Sequence, residues 1–363
     1  MAMSTVDGPI AAATEPIPED ELEKVSEGWD ATSNSSSSIA SSVYRHAYEG
    51  GRRFHSYKYG RYPLPNDDES CNWALLFDIT KAPIIRTSWG IGLANAVIAL
   101  VEQRREAVKH AMMMEVTDGT LYHCPIDKNA KKIIDVGTGT GVWAIEVAEA
   151  LPDTQVLGID LSPIQPDWVP PNCRFLIDDA EEEWVEGDFD MVHMGTMASI
   201  LKDVPKVLRY AFSALKPGGW LELQELMPRA ECDDGTMPPD DLLLQFNTVT
   251  NRAFMSFGMD TWIPEKLQPI LEKAGFVDIR CIKKKIPVGP WASNRSLRVA
   301  GLHCREAIED IMPVIIRGRP FQALGMSTEE SEAYEVALHD SLQDLSRHRY
   351  MNFYFWLAQR PDK

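Results

Sequence analysis

Residues 133–143, IIDVGTGTGVW, combine an apolar run with three glycines at alternate positions, Gly137, Gly139 and Gly141. The apolar run predicts a buried strand and the pattern after it predicts a helix, so the glycines form the turn between them. Such a turn brings backbone close to a ligand at the amino end of a helix. This stretch therefore predicts a site for a nucleotide-like ligand.

Strand and helix patterns alternate from residue 131 to residue 226. The strands are KKIIDVG, QVLGID, CRFLIDD, DMVHM and WLELQEL, and the helices between them include VWAIEVAEAL and VPKVLRYAFSAL. Apolar strands that alternate with helices predict βαβ units and a parallel sheet covered on both faces. LKPGG, before the last of these strands, is a turn signal.

The glycine spacing differs from that of a dinucleotide site. A dinucleotide-binding turn has the pattern G-x-G-x-x-G, whereas this turn has G-x-G-x-G and Val142 follows it. Asp135 precedes the turn, where a carboxylate would repel a pyrophosphate but could bind a ligand amine. The turn therefore favours a ligand with a cationic amino-acid moiety.

Acidic residues end the next two strands. Asp160, nineteen residues past Gly141, is placed to accept hydrogen bonds from both hydroxyls of a ribose. Asp178, Asp179 and Ala180 follow the third strand, in a pattern suited to an adenine amino group. Together these positions favour an adenosine-containing ligand.

The joint order of these motifs resembles the class I S-adenosylmethionine-dependent methyltransferases. It comprises DVGTGTG, Asp160, the 178–180 segment, FDMVH and LKPGGW. GIDLSPIQPDWVPPNCRFLIDDAEEEW and the upstream YGRYPLPNDDE are similar to the LaeA-type methyltransferases of fungal secondary metabolism. The resemblance runs from about residue 55 to the C-terminus, although HMGTM at 193–197 departs from the polar run that many members carry after the fourth strand.

The resemblance implies an α/β, Rossmann-like class I methyltransferase fold. This fold has a mostly parallel seven-stranded sheet with helices on both faces. We expect a disordered Ser/Pro/acidic tail at 1–42, an N-terminal helical cap segment at 43–125 with a helix over roughly 92–114, and the methyltransferase domain at 126–363. Helical insertions at about 228–263 and 290–350 are expected to form a lid over the substrate.

The resemblance also implies which residues bind S-adenosylmethionine. The methionine part would lie on the glycine turn, Asp160 would hold the ribose, Leu161 would border the adenine and Asp179 with Ala180 would recognise its edge. Met194 and Gly195 would line the cofactor near its reactive end, and Tyr62 and Asn66 would cover it. The full expected set is Tyr62, Asn66, Asp135, Gly137, Thr138, Gly139, Gly141, Asp160, Leu161, Asp178, Asp179, Ala180, Met194 and Gly195.

Two residues are candidates for acid–base catalysis. His193 ends the fourth strand and Glu225 ends the fifth, and open α/β sheets bind ligands at such ends. Each also has a structural interpretation, His193 as a core histidine and Glu225 as part of a salt bridge or cap. Glu222 should face away from Glu225, because side chains alternate along a strand.

NRAFMSFGMDTW supplies candidate substrate contacts, Phe254, Phe257 and Trp262. A stripe of methionines and aromatic residues can equally be core. Its position in an insertion outside the central fold favours an apolar lid over a hydrophobic acceptor.

Composition excludes several classes of function. The chain has 36 basic and 54 acidic residues, a net charge of −18, which disfavours nucleic-acid binding. The six cysteines are scattered without a C-x-x-C pair, so we expect no metal site and a reducing compartment. No apolar stretch is long enough to span a membrane, and no signal peptide is visible. These features predict a cytoplasmic protein.

We therefore expect methyl transfer by in-line displacement from S-adenosylmethionine to an oxygen (hydroxyl or carboxyl) or nitrogen of a small-molecule secondary metabolite, with S-adenosylhomocysteine as product. The resemblance leaves two alternatives: a LaeA-like nuclear regulator that acts through protein partners, and a cofactor-bound enzyme that transfers no methyl group. A dehydrogenase would require NADH binding. The N-terminal helices could pair two protomers as a homodimer.

Overall fold

The computed structural model describes residues 4–14, 46–49, 52–55, 107–166, 168–318, 321 and 325–363. The predicted cap residues Tyr62 and Asn66, and most of the predicted helix at 92–114, lie outside these ranges. Residues 107–116, here α1, are the described part of that helix, and they extend two residues past its predicted end.

The main sheet has eight strands in the order β1-β9-β10-β8-β7-β4-β5-β6. The strands are β1 (Ser4–Val6), β4 (Lys132–Val136), β5 (Gln155–Asp160), β6 (Cys173–Ile177), β7 (Phe189–Gly195), β8 (Leu215–Glu231), β9 (Val277–Pro287) and β10 (Tyr350–Gln359). Strands β4 to β8 pair in parallel. β10 lies antiparallel between β8 and β9. The predicted Rossmann-like fold with a mostly parallel sheet is confirmed.

Helices cover both faces of this sheet. They are α2 (Val142–Ala150), α3 (Val204–Ala214), α4 (Leu242–Met255), α5 (Leu267–Ala274), α6 (Arg295–Arg317) and α7 (Thr328–Gln343). One core cluster joins α1, α2, α4, α6 and α7 to one face, and a second joins α3 and α5 to the other. Along β4, Ile133 belongs to the first cluster and Ile134 to the second, because successive side chains point to opposite faces.

The sheet has one strand more than the seven predicted. β1 pairs in parallel with β9, with Ser4 opposite Cys281. Ala12 bridges Ala292, and Ile10 packs near Trp291. Residues 4–14 are therefore ordered on the sheet edge, where the sequence predicted a disordered tail. The low apolar content of the N-terminal region led to the prediction of disorder. It gave no indication that residues 4–6 pair by backbone hydrogen bonds with the open edge of β9.

The segment predicted as a helical cap contains strands. β2 (His46–Glu49) and β3 (Arg52–His55) form an antiparallel pair. Later elements follow the predicted order more closely. The segment IPEKLQPILEKAGF, helical in its sequence pattern, is a 3₁₀ turn at Ile263–Lys266 followed by α5, whose C-cap residue Gly275 has φ 101°. The strand β8 begins at Leu215, the first residue of the predicted turn LKPGG, and Gly218 within it has φ 77°.

Candidate active site

The glycine turn lies at the carboxyl end of β4. Gly137, Gly139 and Gly141 have φ values of 73°, 57° and 81°, a region that disfavours side chains. The N–H groups of Gly137 and Thr138 both donate to the carbonyl of Ile159, which ties the turn to the end of β5. The turn is thereby fixed against the strand whose last residue is Asp160.

Two of the three glycines are also required by close packing. A Cβ on Gly137 would lie 2.0 Å from the sulfur of Met197, and a Cβ on Gly141 would lie 2.2 Å from the ring of Phe175. Gly141 is the N-cap residue of α2 and does not line either of the two cavities described below. The prediction that Gly141 contacts the ligand stays a prediction, and in the structure this residue allows close packing of α2 against β6.

Asp160, at the end of β5, accepts hydrogen bonds from the glycine turn and from the loop that follows β5. Its Oδ2 accepts a hydrogen bond from the Gly139 N–H and its Oδ1 accepts one from the Ser162 N–H, each at 2.9 Å. Gln165 donates from Nε2 to the carbonyl of Gly139 at 2.6 Å. The carboxylate is half-buried and borders a cavity. The backbone thus holds this negative charge at the carboxyl edge of the sheet.

The residues after β6 form a compact acidic turn. Asp178 accepts from the N–H of Asp179 at 2.8 Å, and Asp179 accepts from the N–H of Glu181 at 2.9 Å. Ala180 is buried, and its carbonyl accepts from the indole of Trp184 at 3.0 Å. The turn presents Asp178, Asp179 and Ala180 to the same cavity as Asp160.

This large cavity has a volume of about 400 Å³. The sequence-predicted residues that line it are Gly137, Gly139, Asp160, Leu161, Asp178, Asp179, Ala180, Gly195 and Phe254. Its opposite side is an apolar arm between two helices, which we define as Phe246 and Phe254 of α4, Ile308, Ile311 and Ile315 of α6, and Met351 of β10. One cavity therefore joins the predicted adenosine-binding residues to an apolar chamber.

A small cavity of about 100 Å³ adjoins the large one, and Gly137 and Gly195 line both. Asp135 and Thr138 line the small cavity rather than the large one. The Thr138 hydroxyl donates to Asp135 at 2.6 Å. Asp135 is almost fully buried, so its charge is compensated by protein groups in addition to any ligand.

His193 lines the small cavity and contacts Asp135. Its Nδ1 lies 2.7 Å from Asp135 Oδ1, and its ring stacks on Trp143 with centroids 3.6 Å apart. Its Nε2 is buried without a hydrogen-bond partner in the described structure. If Nδ1 carries the proton that it donates to Asp135, Nε2 is left as a hydrogen-bond acceptor. His193 is thus both core-packed and at the edge of the site.

Glu225 faces away from Glu222, as predicted. It accepts hydrogen bonds from the backbone N–H groups of Met197 and Ala198 at 3.0 and 2.8 Å. Burial raises its pKa to about 8, against the opposing effect of these donors. Glu225 lines neither cavity, so the structure assigns it to capping the turn after β7.

Three other residues predicted to contact cofactor or substrate lie outside both cavities. Met194 is fully buried in the core, because its side chain points to the α3 face of β7. Phe257 packs against the core outside both cavities, and Trp262 donates to the carbonyl of Pro228 at 3.3 Å. Neither aromatic residue lines a cavity, although Phe254 and Thr261 of the same segment do.

Several lining residues were missed from the sequence. They include Lys109, Met112, Ser162, Thr196, Met197, Ser199, Asn247 and Thr250. Thr196 and Met197 belong to HMGTM, and the departure of this segment from the polar run of related proteins could have pointed to them. In the structure Thr196 has φ 53°, which is strained for a β-branched residue. The helical residues carried no signal, because they reach the site through tertiary packing.

The chain is similar in sequence to known methyltransferases. Residues 103–280 match a family model described as a methyltransferase domain. The chain is 31% identical over 332 residues to the methyltransferase pytC of Aspergillus terreus, covering 91% of this chain and 93% of pytC. It belongs to the class I S-adenosylmethionine-dependent methyltransferases.

The family's fungal members are also similar to this chain. The secondary metabolism regulator LAE1 of Cochliobolus heterostrophus is 27% identical over 72% of this chain and 88% of its own. Among solved structures, a putative methyltransferase from Bacillus halodurans is similar at 17% identity and a TM-score of 0.39, over 70% of this chain and 98% of that chain. In sequence the chain is thus similar both to the methyltransferase pytC and to the regulator LAE1.

Two predicted exclusions concern membranes and metals. No helix in the described ranges is both long enough and apolar enough to cross a membrane. Within those same ranges, no group of three or more His, Cys, Asp or Glu side chains is arranged to hold a metal ion. The predicted homodimer stays a prediction.

Proposed function

We propose that this methyltransferase binds S-adenosylmethionine across the two adjoining cavities and methylates an oxygen or nitrogen of a small-molecule acceptor held in the apolar arm. One observation carries this proposal: the cavity that Asp160 and the glycine turn line continues without interruption to the apolar arm. Cofactor and acceptor would therefore meet in one continuous cavity.

The residues present fit the cofactor. Gly137 lines both cavities, and the Met197 side chain packs where a Cβ of residue 137 would lie. Asp160 would accept hydrogen bonds from the ribose hydroxyls, and Asp178 to Ala180 would border the adenine. Asp135, beside Thr138 in the small cavity, would attract the ammonium group of the methionine part. S-Adenosylmethionine supplies an activated methyl group, whose transfer leaves S-adenosylhomocysteine and one proton from the acceptor.

The protein's contribution is alignment and exclusion of water. The walls of the apolar arm would restrict the acceptor to the space between α4 and α6, which raises the effective concentration of its nucleophile. The same walls exclude water that would compete with it. Cys304 also lines this cavity, but burial raises the pKa of its thiol to about 12, so it stays protonated and is no nucleophile.

His193 and Glu225 act in this proposal as positioning residues. His193 holds Asp135 in place through the 2.7 Å contact. Glu225 holds the turn that carries Met197 and Ser199 along the cavity. Because neither His193 nor Glu225 lines the large cavity, neither would accept the proton that the acceptor loses.

Calorimetric titration with S-adenosylmethionine and with NADH tests the proposal. We expect the protein to bind S-adenosylmethionine and not NADH, and Asp160→Ala to abolish binding. Asp153→Ala is a matched control, since Asp153 is an exposed carboxylate just past α2. Absence of S-adenosylmethionine binding to the wild type, or equal loss in both variants, would contradict the proposed site.

A regulatory role is the second candidate, because LAE1, a regulator by name, is a relative. It would act through protein partners in the nucleus. A protein that binds S-adenosylmethionine, forms a stoichiometric protein complex and transfers no methyl group to any small molecule would favour this role. Consumption of cofactor with a small-molecule acceptor would favour the enzyme.

A further inference from the structure

The hydroxyl of Thr250 differs from its neighbour on the same helix. Thr248 lies on the exposed side of α4 and donates to the carbonyl of Leu244 at 2.8 Å, the usual bond for a helical threonine. Thr250 is 7% exposed and lines the large cavity, yet its Oγ1 has no hydrogen-bond partner within the described structure. The hydroxyl beside the apolar arm is therefore the one that lacks a partner.

A buried hydroxyl without a partner is costly, because it gives up its bond to water and gains none in return. Such groups are rare in folded proteins and call for an explanation. Ser199 Oγ, on the other side of the same cavity, is also buried without a partner among the residues described. Two such hydroxyls on one cavity point to a ligand that supplies the missing hydrogen bonds.

The charges around the cavity are divided between its two sides. Its acidic residues, Asp160 and the 178–181 turn, lie at the carboxyl edge of β5 and β6. Lys109 lies on α1, at the boundary with the small cavity. No acidic or basic side chain from the described parts of α4, α6, β8 or β10 lines it. A charged acceptor would lose its hydration in the apolar arm and find no opposite charge there.

Asn247 adds a second polar group to this wall. Its Oδ1 accepts from the Ala230 N–H at 2.9 Å, which fixes the amide, and Asn247 lines the large cavity together with Thr250 of the same helix. The arm thus combines aromatic and aliphatic walls with neutral hydrogen-bonding groups from α4.

We propose that the apolar arm binds an uncharged, largely apolar acceptor that carries a hydroxyl or carbonyl oxygen, and that Thr250 selects it by a hydrogen bond to that oxygen. This inference rests on the proposed function, since the same cavity holds the cofactor at its other end. The proposed function allows acceptors with a carboxylate, a hydroxyl or an amine. This inference restricts them to uncharged molecules and makes Thr250 the specificity-determining residue.

Three naphthyl probes test this assignment on the S-adenosylhomocysteine-loaded protein and on the cofactor-free protein. They are 2-naphthol, naphthalene and 2-naphthoate, which share one apolar body and differ in a hydroxyl or a charge. We expect 2-naphthol to bind best and 2-naphthoate worst. Thr250→Val should remove the preference for 2-naphthol over naphthalene, a change of about fivefold.

Matched variants separate this effect from a general disturbance of α4. Thr250→Ser keeps the hydroxyl and should keep the preference, and Thr248→Val should leave all three affinities unchanged. Tightest binding of 2-naphthoate, an unchanged preference in Thr250→Val, or no binding of any probe would overturn the inference. S-Adenosylhomocysteine binding, measured on the same samples, reports separately whether the proposed function has failed.

Discussion

Asp135 and His193 occupy paired positions on adjacent parallel strands, and Asp135 Oδ1 lies 2.7 Å from His193 Nδ1. Both side chains are about 3–4% exposed, so the pair is removed from water. The indole of Trp143 stacks on the imidazole at an interplanar angle of 6°. The strand register thus sets the position of the His193 imidazole, and stacking on Trp143 sets its orientation.

We expect His193→Phe to destabilise the protein by about 3 kcal/mol, because it leaves the Asp135 charge buried with fewer partners while an aromatic ring still faces Trp143. Asp135→Asn combined with His193→Phe should cost less than the sum of the two single changes. Urea unfolding of the four proteins measures this coupling. Additive losses would show that the two side chains do not depend on each other.

A second prediction concerns the contact of Gly137 with Met197. Gly137→Ala should weaken S-adenosylmethionine binding, because the new Cβ would displace the Met197 side chain and because Gly137 has φ 73°. Adding Met197→Ala should restore part of the binding, since the clash is relieved while the backbone strain of about 1 kcal/mol remains. Calorimetry on the single and double variants gives the comparison. If the double variant binds no better than Gly137→Ala, the clash with Met197 is not the cause.

The pH dependence of stability should report on Glu225. Burial raises its pKa to about 8 from the ordinary 4.5, so between these values the folded protein keeps a proton that the unfolded chain has lost. The stability that Glu225 contributes is fully present below about pH 4.5 and is lost as the pH rises toward about 8. Glu225→Gln stays neutral and keeps an acceptor for the Met197 N–H.

The melting temperature of Glu225→Gln should therefore fall less than that of the wild type between about pH 5 and about pH 8.5. Differential scanning calorimetry across this range measures both slopes. The difference between the two proteins isolates position 225 from the other titrating groups. Parallel pH profiles would contradict a raised pKa at this position.

A buried ion pair connects α4 to the final strand. Asp241, the N-cap residue of α4, is fully buried and accepts from Arg349 Nη2 at 2.8 Å and from the Leu243 N–H at 3.0 Å. Arg349 is itself only 1% exposed. Asp241→Asn should lower the free energy of unfolding by about 3–5 kcal/mol, because it leaves the Arg349 charge buried without its counter-ion.

Arg347 provides the control for this pair. It also contacts Asp241, at 3.0 Å, but its side chain is 31% exposed. Arg347→Ala should therefore cost about 1 kcal/mol or less, as is usual for a solvated ion pair. Guanidinium unfolding of the two variants checks the ranking. Equal losses would mean that the burial of Arg349 does not decide the energy.

The sequence predicted the central strands well, because β4, β5 and β7 are buried on both faces and appear as nearly continuous apolar runs. It predicted the acidic residues at the carboxyl edge for a related reason. Asp160 and the 178–180 turn directly follow such runs, so the end of the strand locates them. A local sequence pattern is therefore enough to locate a candidate site residue that directly follows a strand.

The remaining site residues depend on contacts distant in sequence. Met197 lies over Gly137, sixty residues earlier in the chain, through a turn that Glu225 holds from β8. Thr250 and Ile311 face the same cavity only because α4 and α6 both pack on the sheet, each against α7. No local pattern distinguishes Thr250 from Thr248, although one lines the cavity and the other is exposed.

The position of β10 between β8 and β9 governs the order in which the molecule can be assembled. Chains emerge from the ribosome amino end first, but this interior strand comes from residues 350–359. Until it has been synthesised, β8 and β9 each present an unpaired edge of the kind that promotes aggregation. Met351, which lines the large cavity, arrives with it. The binding chamber is thus completed only after all the proposed cofactor-binding residues have been made, so a chain that stops before residue 350 would contain every one of them and still lack part of the chamber wall.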